Sequence, residues 1–514
     1  MREQNKRPLR IGTSFLLSAG ILLGSAAAPF DSIGSLRAEA SDVNASTNGE
    51  KVLTIPKGKE VIYLAKKGDR YKIQYGNRTA WVSADQIKVS PKPASPVVEV
   101  NKNWITTPTT LNMRDSSSTA GKVIATIPKG TILTSVSEKD GWYEVSYEGK
   151  TGYVSAAYLY ELTKENAEKI ATLEKKPYIL MDLRTRSSVT ADQINQYLVN
   201  YGKVTPENSV MHNTGQLFID AANKHGLNAL YLAAHAIHES DFGKSIISNA
   251  KNNLFGFGAY DLVPFVGASK FDSVAQNIDH IAQEMKATYL NPSHWKHQGA
   301  YLGYTFKDEK GARIAALSKG MNFYYASDSN WGNAIASHME RILPSSQEMA
   351  FQQQPNTQVP SSPGYPAGKD NFPAGTLAVA NAAVALYDAK GSSTVVATVQ
   401  KGETFNLLEK WNDYWLTIQY NGRTYYTNKV SFNSYNQFFT VKNLARVNAN
   451  ILNVRDLASS SGKIIGTLPN YQYVELVVDS NQTPIVNNGW YNIKLNDGTI
   501  GWVSGVYLIQ ELNK

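Results

Sequence analysis

The amino-acid sequence predicts a multidomain chain in which a mainly helical α+β domain is flanked by small all-β barrels. Three observations predict it. The chain has 514 residues, more than one ordinary core accommodates. One series of short motifs occurs twice, far apart along the chain. Between the two copies the apolar period changes from alternating to helical. Apolar residues make up 42% and charged residues 18%, which suits folded domains rather than disorder. With no cysteine, a disulfide framework, a thiolate zinc site and a cysteine nucleophile are all excluded.

The first element is a targeting segment. Arg2, Lys6, Arg7 and Arg10 make a basic start, Ile11 to Leu23 an apolar stretch, and Ser25, Ala26, Ala27 and Ala28 a small-residue end. This predicts a signal peptide within 1–40, cleaved near 27 or, at Ala38-Glu39-Ala40, near 40. Pro29 disfavours cleavage directly after Ala28. The apolar run is shorter than the roughly 20 residues a bilayer span needs, and no other stretch could span, so no membrane contact is expected after cleavage. The net charge of +8 is spread out. It favours contact with polyanions, but no dense Lys/Arg run follows the first residues, which argues against nucleic acid.

The repeats come next. Leu111-Asn112-Met113-Arg114-Asp115, Gly121 to Pro128, Gly141-Trp142-Tyr143, Gly152-Tyr153-Val154-Ser155 and Tyr158-Leu159 form one copy. Leu452-Asn453-Val454-Arg455-Asp456, Gly462 to Pro469, Gly489-Trp490-Tyr491, Gly501-Trp502-Val503-Ser504 and Tyr507-Leu508 form the other. Weaker copies carry Ile55-Pro56-Lys57-Gly58 with Trp81-Val82-Ser83, and Val395 to Val399 with Tyr414-Trp415-Leu416. Short alternating runs broken by Gly, Asn, Asp or Pro indicate small antiparallel barrels. Barrels are therefore expected at 50–90, 103–162, 373–434 and 440–512. Pro91 to Pro96 links the first two, and the Gln-, Pro- and Ser-rich 344–372 tract reads as an exposed, flexible linker. The copies resemble bacterial SH3 modules of the Leu-Asn-Val-Arg form. That resemblance implies binding to cell-wall peptides, with Trp142, Tyr143, Trp490 and Tyr491 either packing the barrels or meeting a ligand.

The segment 164–343 has helical spacing, in Ile194-Tyr197-Leu198, Phe218-Ala221-Ala222 and Ile278-Ile281-Ala282-Met285. A third apolar stripe, Leu230, Ala233, Ala234 and Ile237, runs into His238-Glu239-Ser240. A carboxyl group at the end of so apolar a helix loses hydration and meets the negative end of the helix dipole. Both effects are expected to keep Glu239 protonated near neutral pH, which a general acid requires.

Glu239-Ser240, Asn252-Asn253-Leu254-Phe255-Gly256 and Tyr325-Ala326-Ser327-Asp328-Ser329-Asn330-Trp331 occur in the order found in bacterial glucosaminidases of glycoside hydrolase family 73, which the segment resembles over roughly 214–335. The resemblance implies a lysozyme-like fold, with Glu239 as catalytic acid and Tyr325 supporting the sugar at the cleavage point. Asn253, Phe255 and Gly256 would close the cleft, and His235, Asp328 and Trp331 would bind substrate. Related enzymes often carry a Glu on a mobile lobe after the acid. Residues 261–272 contain none, leaving Asp261 and Asp272 as candidates for a base. Substrate assistance by the acetamido group is the alternative. Asp272-Ser273 also reads as a helix N-cap.

The implied activity is that of a secreted, wall-associated autolysin of Gram-positive type. It would cleave the β-1,4 bond after N-acetylglucosamine in peptidoglycan, with no cofactor. Glycan strands and stem or cross-bridge peptides would be its partners, and teichoic acids would suit its charge. A lytic transglycosylase and a non-catalytic wall-binding scaffold are the competing readings. Zinc is disfavoured: His-Glu-x-x-His would need a histidine at 242, which is Phe242, and His280 and His297 show no ligand spacing, so no metal is expected.

Overall fold

The computed structural model describes residues 36–38, 43–47, 50–57, 59–75, 78–89, 98–107, 109–351 and 353–514. The proposed signal peptide, apart from 36–38, and the Pro91–Pro96 link lie outside the described residues. The chain divides into two compact units, one running to Ile170 and the other from Ala171 to Lys514.

The first unit holds two antiparallel barrels. One sheet runs Glu50–Ile55, Val43–Thr47, Arg78–Ser83, Arg70–Tyr75, Glu60–Lys67, Leu36–Ala38, Ile87–Val89. It therefore starts ahead of residue 50, because Leu36–Ala38 pairs with Glu60 and Val61 and with Ile87–Val89. The second sheet has the same order: Val123–Pro128, Thr110–Arg114, Lys150–Ser155, Trp142–Tyr147, Ile132–Lys139, Val98–Thr106, Leu159–Glu161. Alternation accounts for its core. Leu111 and Met113 point inward with Ile127, Leu133, Val145 and Val154. The outward letters of the motif close a loop: Arg114 Nη1 donates to Gly121 O at 2.6 Å, and Lys122 N donates to Asp115 Oδ1 at 2.9 Å. Gly152 is needed where strands meet, since a Cβ there would lie 2.6 Å from Arg114 O. Tyr143 packs on Trp104, ring centroids 4.4 Å apart, so its first role is structural.

The second unit carries the helical segment and two more barrels. Ile451–Arg455 and its partners repeat the strand order of the second barrel, and Arg455 Nη1 again donates to Gly462 O. The third barrel departs from the pattern. Arg423–Thr427, Leu416–Tyr420, Thr404–Trp411, Leu377–Ala380 and Phe439–Val441 form its sheet, and Val384–Leu386 pairs separately with Ala397–Val399.

Lys164–Glu174 leads into the segment, whose main helices are Ala191–Asn200, Gly215–His225, Ala229–Ser240, Ile246–Lys251, Val274–Ala287 and Trp331–Ile342, with shorter turns between. Ala229–Ser240 is the centre of the domain, and all of Ala229 to Ile237 is buried. It starts at Asn228, whose side chain accepts from Tyr231 N, and stops because Asp241, Phe242 and Gly243 all take positive φ. Glycine is required at 243: φ is +72° and a Cβ would meet Met211 at 2.5 Å. Ser240 Oγ donates to Ala236 O and accepts from Gly243 N, locking the turn.

The 344–372 tract is not a free tether. Ser345–Ala350 is helical, and Glu348, only 4% exposed, accepts from Ser188 N and Oγ and from Asn228 Nδ2. Lys286 Nζ donates to Asn356 O, and Lys369–Asn371 adds a strand to the third barrel beside Glu409–Trp411. Composition indicated a polar segment. What orders it is a series of buried donors on the helical domain that its carboxylate and carbonyls satisfy.

Candidate active site

Tyr231, His235 and Glu239 are four residues apart and share one face of the Ala229–Ser240 helix. The Tyr231 hydroxyl lies 3.1 Å from His235 Nδ1. His235 Nε2 lies 3.5 Å from Glu239 Oε1, within ion-pair reach but beyond hydrogen bonding, and makes no other hydrogen bond. Trp331 Nε1–H donates to Glu239 Oε1 at 2.8 Å. The Glu239 side chain keeps 13% of its surface accessible, so the carboxyl sits at a buried edge rather than in bulk water.

Rings wall in this face. Around His235 stand Phe255 at 5.1 Å, Tyr325 at 4.7 Å and Trp331 at 5.2 Å, each edge to face. Tyr325 stacks on Trp331 at 4.7 Å and meets Tyr289 at 5.3 Å. The three sequence blocks, around 239, 255 and 325–331, therefore converge on one imidazole.

The electrostatics differ from the expectation for Glu239. Burial does push its carboxyl upward, but the close approach of the His235 ring, the Trp331 N–H and nearby His238 outweigh it, and the pKa falls below the ordinary carboxylate value. Proximity of donors, not the helix end, decides the sign. Burial drives His235 below its usual value, favouring the neutral ring, and drives Tyr325 and Tyr231 far above theirs, so both phenols stay protonated.

The other expected residues have distinct places. Trp331 is 3% exposed and is spent on the carboxyl and the ring cluster rather than offered to a sugar face. Asn253 is buried. Its Nδ2 donates to Phe257 O and Ser269 O, and its Oδ1 accepts from Phe257 N, so it organises the 252–272 lobe from within. Gly256 takes φ +61° in the same turn, where its carbonyl accepts from Ala259 N. Asp328 is an exposed turn former whose Oδ1 accepts from Asn330 N ahead of the Trp331–Ile342 helix. Asp272 is exposed, and its N–H donates to Gln276 Oε1 while Ser273 caps the Val274–Ala287 helix. The titratable neighbours acting on Glu239 are His235 and His238, not Asp272.

Sequence reasoning missed Tyr231 and Tyr289. The first carried a signal, the i, i+4, i+8 series 231-235-239. The second had none, because only packing brings it to Tyr325. Among the described residues no group of three His, Cys, Asp or Glu could hold a metal ion, and no helix is long and apolar enough to cross a membrane.

A carboxyl at the tip of an apolar helix, fixed by an indole N–H and ringed by aromatics beside a loop lobe, is an arrangement that suits a glycosidase. More particularly, residues 215–343 match the family described as mannosyl-glycoprotein endo-beta-N-acetylglucosaminidase, and residues 109–160 and 451–509 match the bacterial SH3 domain. The chain thus carries a glucosaminidase domain and bacterial SH3 domains. A Streptococcus pneumoniae protein named for endo-beta-N-acetylglucosaminidase activity is 33% identical over 168 residues, 33% of this chain. The alignment spans only 22% of that relative's length. The beta-N-acetylglucosaminidase of Bacillus subtilis is 24% identical over 200 residues, covering 36% of this chain and 22% of its own. Among solved structures, S. aureus glucosaminidase B aligns at 20% identity and a TM-score of 0.26, covering 39% of this chain and 79% of its own.

Proposed function

We propose that the chain is an exported, wall-associated autolysin that hydrolyses the β-1,4 bond after N-acetylglucosamine in peptidoglycan, with Glu239 as general acid. The Glu239 carboxyl held by Trp331 against the His235–Tyr325–Phe255 wall carries this reading. The family match over 215–343 supports it.

A general acid must arrive protonated, yet the free site favours the carboxylate. A bound glycan resolves this by covering the remaining exposed edge of Glu239, removing hydration from the charged form and raising its pKa within the complex. The proton then passes to the bridging oxygen. Tyr325, protonated at any working pH, supports the sugar at the cleavage point. Among the described residues no second carboxylate acts on Glu239, and in this reading the substrate's own acetamido oxygen serves as nucleophile before water completes hydrolysis. The barrels grip wall peptides, and several weak grips on one polymer raise the local concentration of cleavable bonds. Export through the basic-apolar start fits this place of action. Pairing of Leu36–Ala38 within the first barrel supports cleavage near 27 rather than 40.

Mass spectrometry of digested walls tests the reading. Native protein should release fragments with a reducible glucosamine end, and Glu239→Gln should slow release by roughly 100-fold or more. An anhydro-muramic end would make it a lytic transglycosylase. No release by the native chain would leave a wall-binding scaffold.

A further inference from the structure

The 252–272 lobe has almost no secondary structure of its own beyond the single turn Pro264–Gly267. Its carbonyls at 266–268 turn inward, and buried carbonyls need donors. Two lysine ammonium groups supply them. Lys251 Nζ donates to Ala268 O at 2.9 Å, and Lys410 Nζ donates to Gly267 O at 2.8 Å and to Ala268 O at 3.3 Å. Lys410 belongs to the third barrel and is 0% exposed, and Lys251 is paired at 2.7 Å with Asp370 of the strand added to that barrel.

Other contacts follow the same route. Asn412 brackets Lys270, its Oδ1 accepting from Lys270 N and its Nδ2 donating to Lys270 O. Val263 and Val266 lie in one hydrophobic core with Leu407 and Phe432 of the barrel. From the fourth barrel, the Arg446 guanidinium sits 4.0 Å from the centre of the Phe265 ring. Burial drives the Lys410 ammonium down to about 7, a cost met where it holds two lobe carbonyls. On the opposite side, the same lobe presents Phe255 to His235.

We propose that the third and fourth barrels are positioning elements of the active site: through Lys410, Asn412 and Asp370 they set the lobe that places Phe255 against His235 and Glu239. This rests on the glucosaminidase reading. It differs from anchoring, because an anchor changes attachment to the wall, whereas a positioning element changes turnover of a substrate too short to reach any barrel's wall ligand.

The test uses the full chain with Lys410→Met and, as a milder change that leaves the buried ammonium in place, Asn412→Ala. Three quantities are read: kcat and KM on a soluble, peptide-free glycan of alternating N-acetylglucosamine and N-acetylmuramic acid, co-sedimentation with walls, and hydrogen exchange of the 252–272 amides. The expected result is a kcat loss of roughly 10- to 100-fold with a smaller change in KM, retained wall binding, and faster exchange in the lobe. Native kcat in both variants overturns the proposal, whether or not exchange quickens. So does a loss that appears only on intact walls. A native chain inactive on both the soluble glycan and walls overturns the glucosaminidase reading instead, and the exchange arm then still reports whether the barrels hold the lobe.

Discussion

At the scale of the residue, the site turns on one donor. Trp331 Nε1–H favours the charged form of Glu239, so removing it raises the carboxyl's pKa. A hydrogen bond to a charged group contributes roughly 1.5–3 kcal/mol, and about 1.4 kcal/mol corresponds to one pKa unit. Trp331→Phe should therefore move the alkaline limb of kcat/KM upward by about one pH unit, since the acid must be protonated to act. A pH profile at low substrate reads this, and a limb that stays in place would disconnect Trp331 from the acid. His235 has the complementary role. Buried and favouring the neutral form, it spaces the three rings around the carboxyl without neutralising it.

At the scale of the element, the Ala229–Ser240 helix is controlled from both ends. Three successive positive-φ residues terminate it just beyond Glu239, an uncommon conformation for Asp241 and Phe242 that Ser209 helps hold by donating to Phe242 O. At its other end Asn228 caps the helix, and Glu348, from the tract after the domain, accepts from the Asn228 side chain. Glu348→Ala strands three donors at once, the half-buried Ser188 N–H and hydroxyl and the buried Asn228 amide. Each unsatisfied group costs about 1–3 kcal/mol, partly recovered by water, so a loss of at least about 2 kcal/mol is expected in urea unfolding. An unchanged midpoint would show that the tract only lies beside the domain.

At the scale of the whole molecule, several buried imidazoles tie folding to pH. Burial pushes His280 down to about 4 and His338 likewise to about 4, from an ordinary value of 6.5, and lowers His235 as well. As pH falls below 6.5 the unfolded chain takes up protons that the folded chain refuses, so stability is lost progressively between about 6.5 and about 4. Glu239, with a lowered pKa, adds loss of the same sign at still lower pH. Thermal melting of the full chain from pH 7 to pH 4 should show this fall, and His280→Gln should make it shallower. A flat profile would contradict the burial of these rings. The same scale joins modules to enzyme. The Lys251–Asp370 pair and the Lys410 contacts join the helical domain and the C-terminal barrels within one compact unit.

The barrels and the central helix that ends at Glu239 were readable in the sequence, because each rests on local order: alternation in strands, a run of apolar residues at helical spacing, and motifs repeated in register. The sequence marked Asn253 and Trp331 as residues of interest but not what their side chains bond. Whether a side chain faces a ligand or its own backbone depends on neighbours far along the chain, as Ser269 O is for Asn253 and Glu239 for Trp331. The direction of the Glu239 shift, the ordering of 344–372 and the clamping of the lobe by Lys410 belong to the tertiary structure alone. Each depends on through-space distances between segments up to 160 residues apart, and electrostatic and hydrogen-bond energies follow those distances, not the order of residues along the chain.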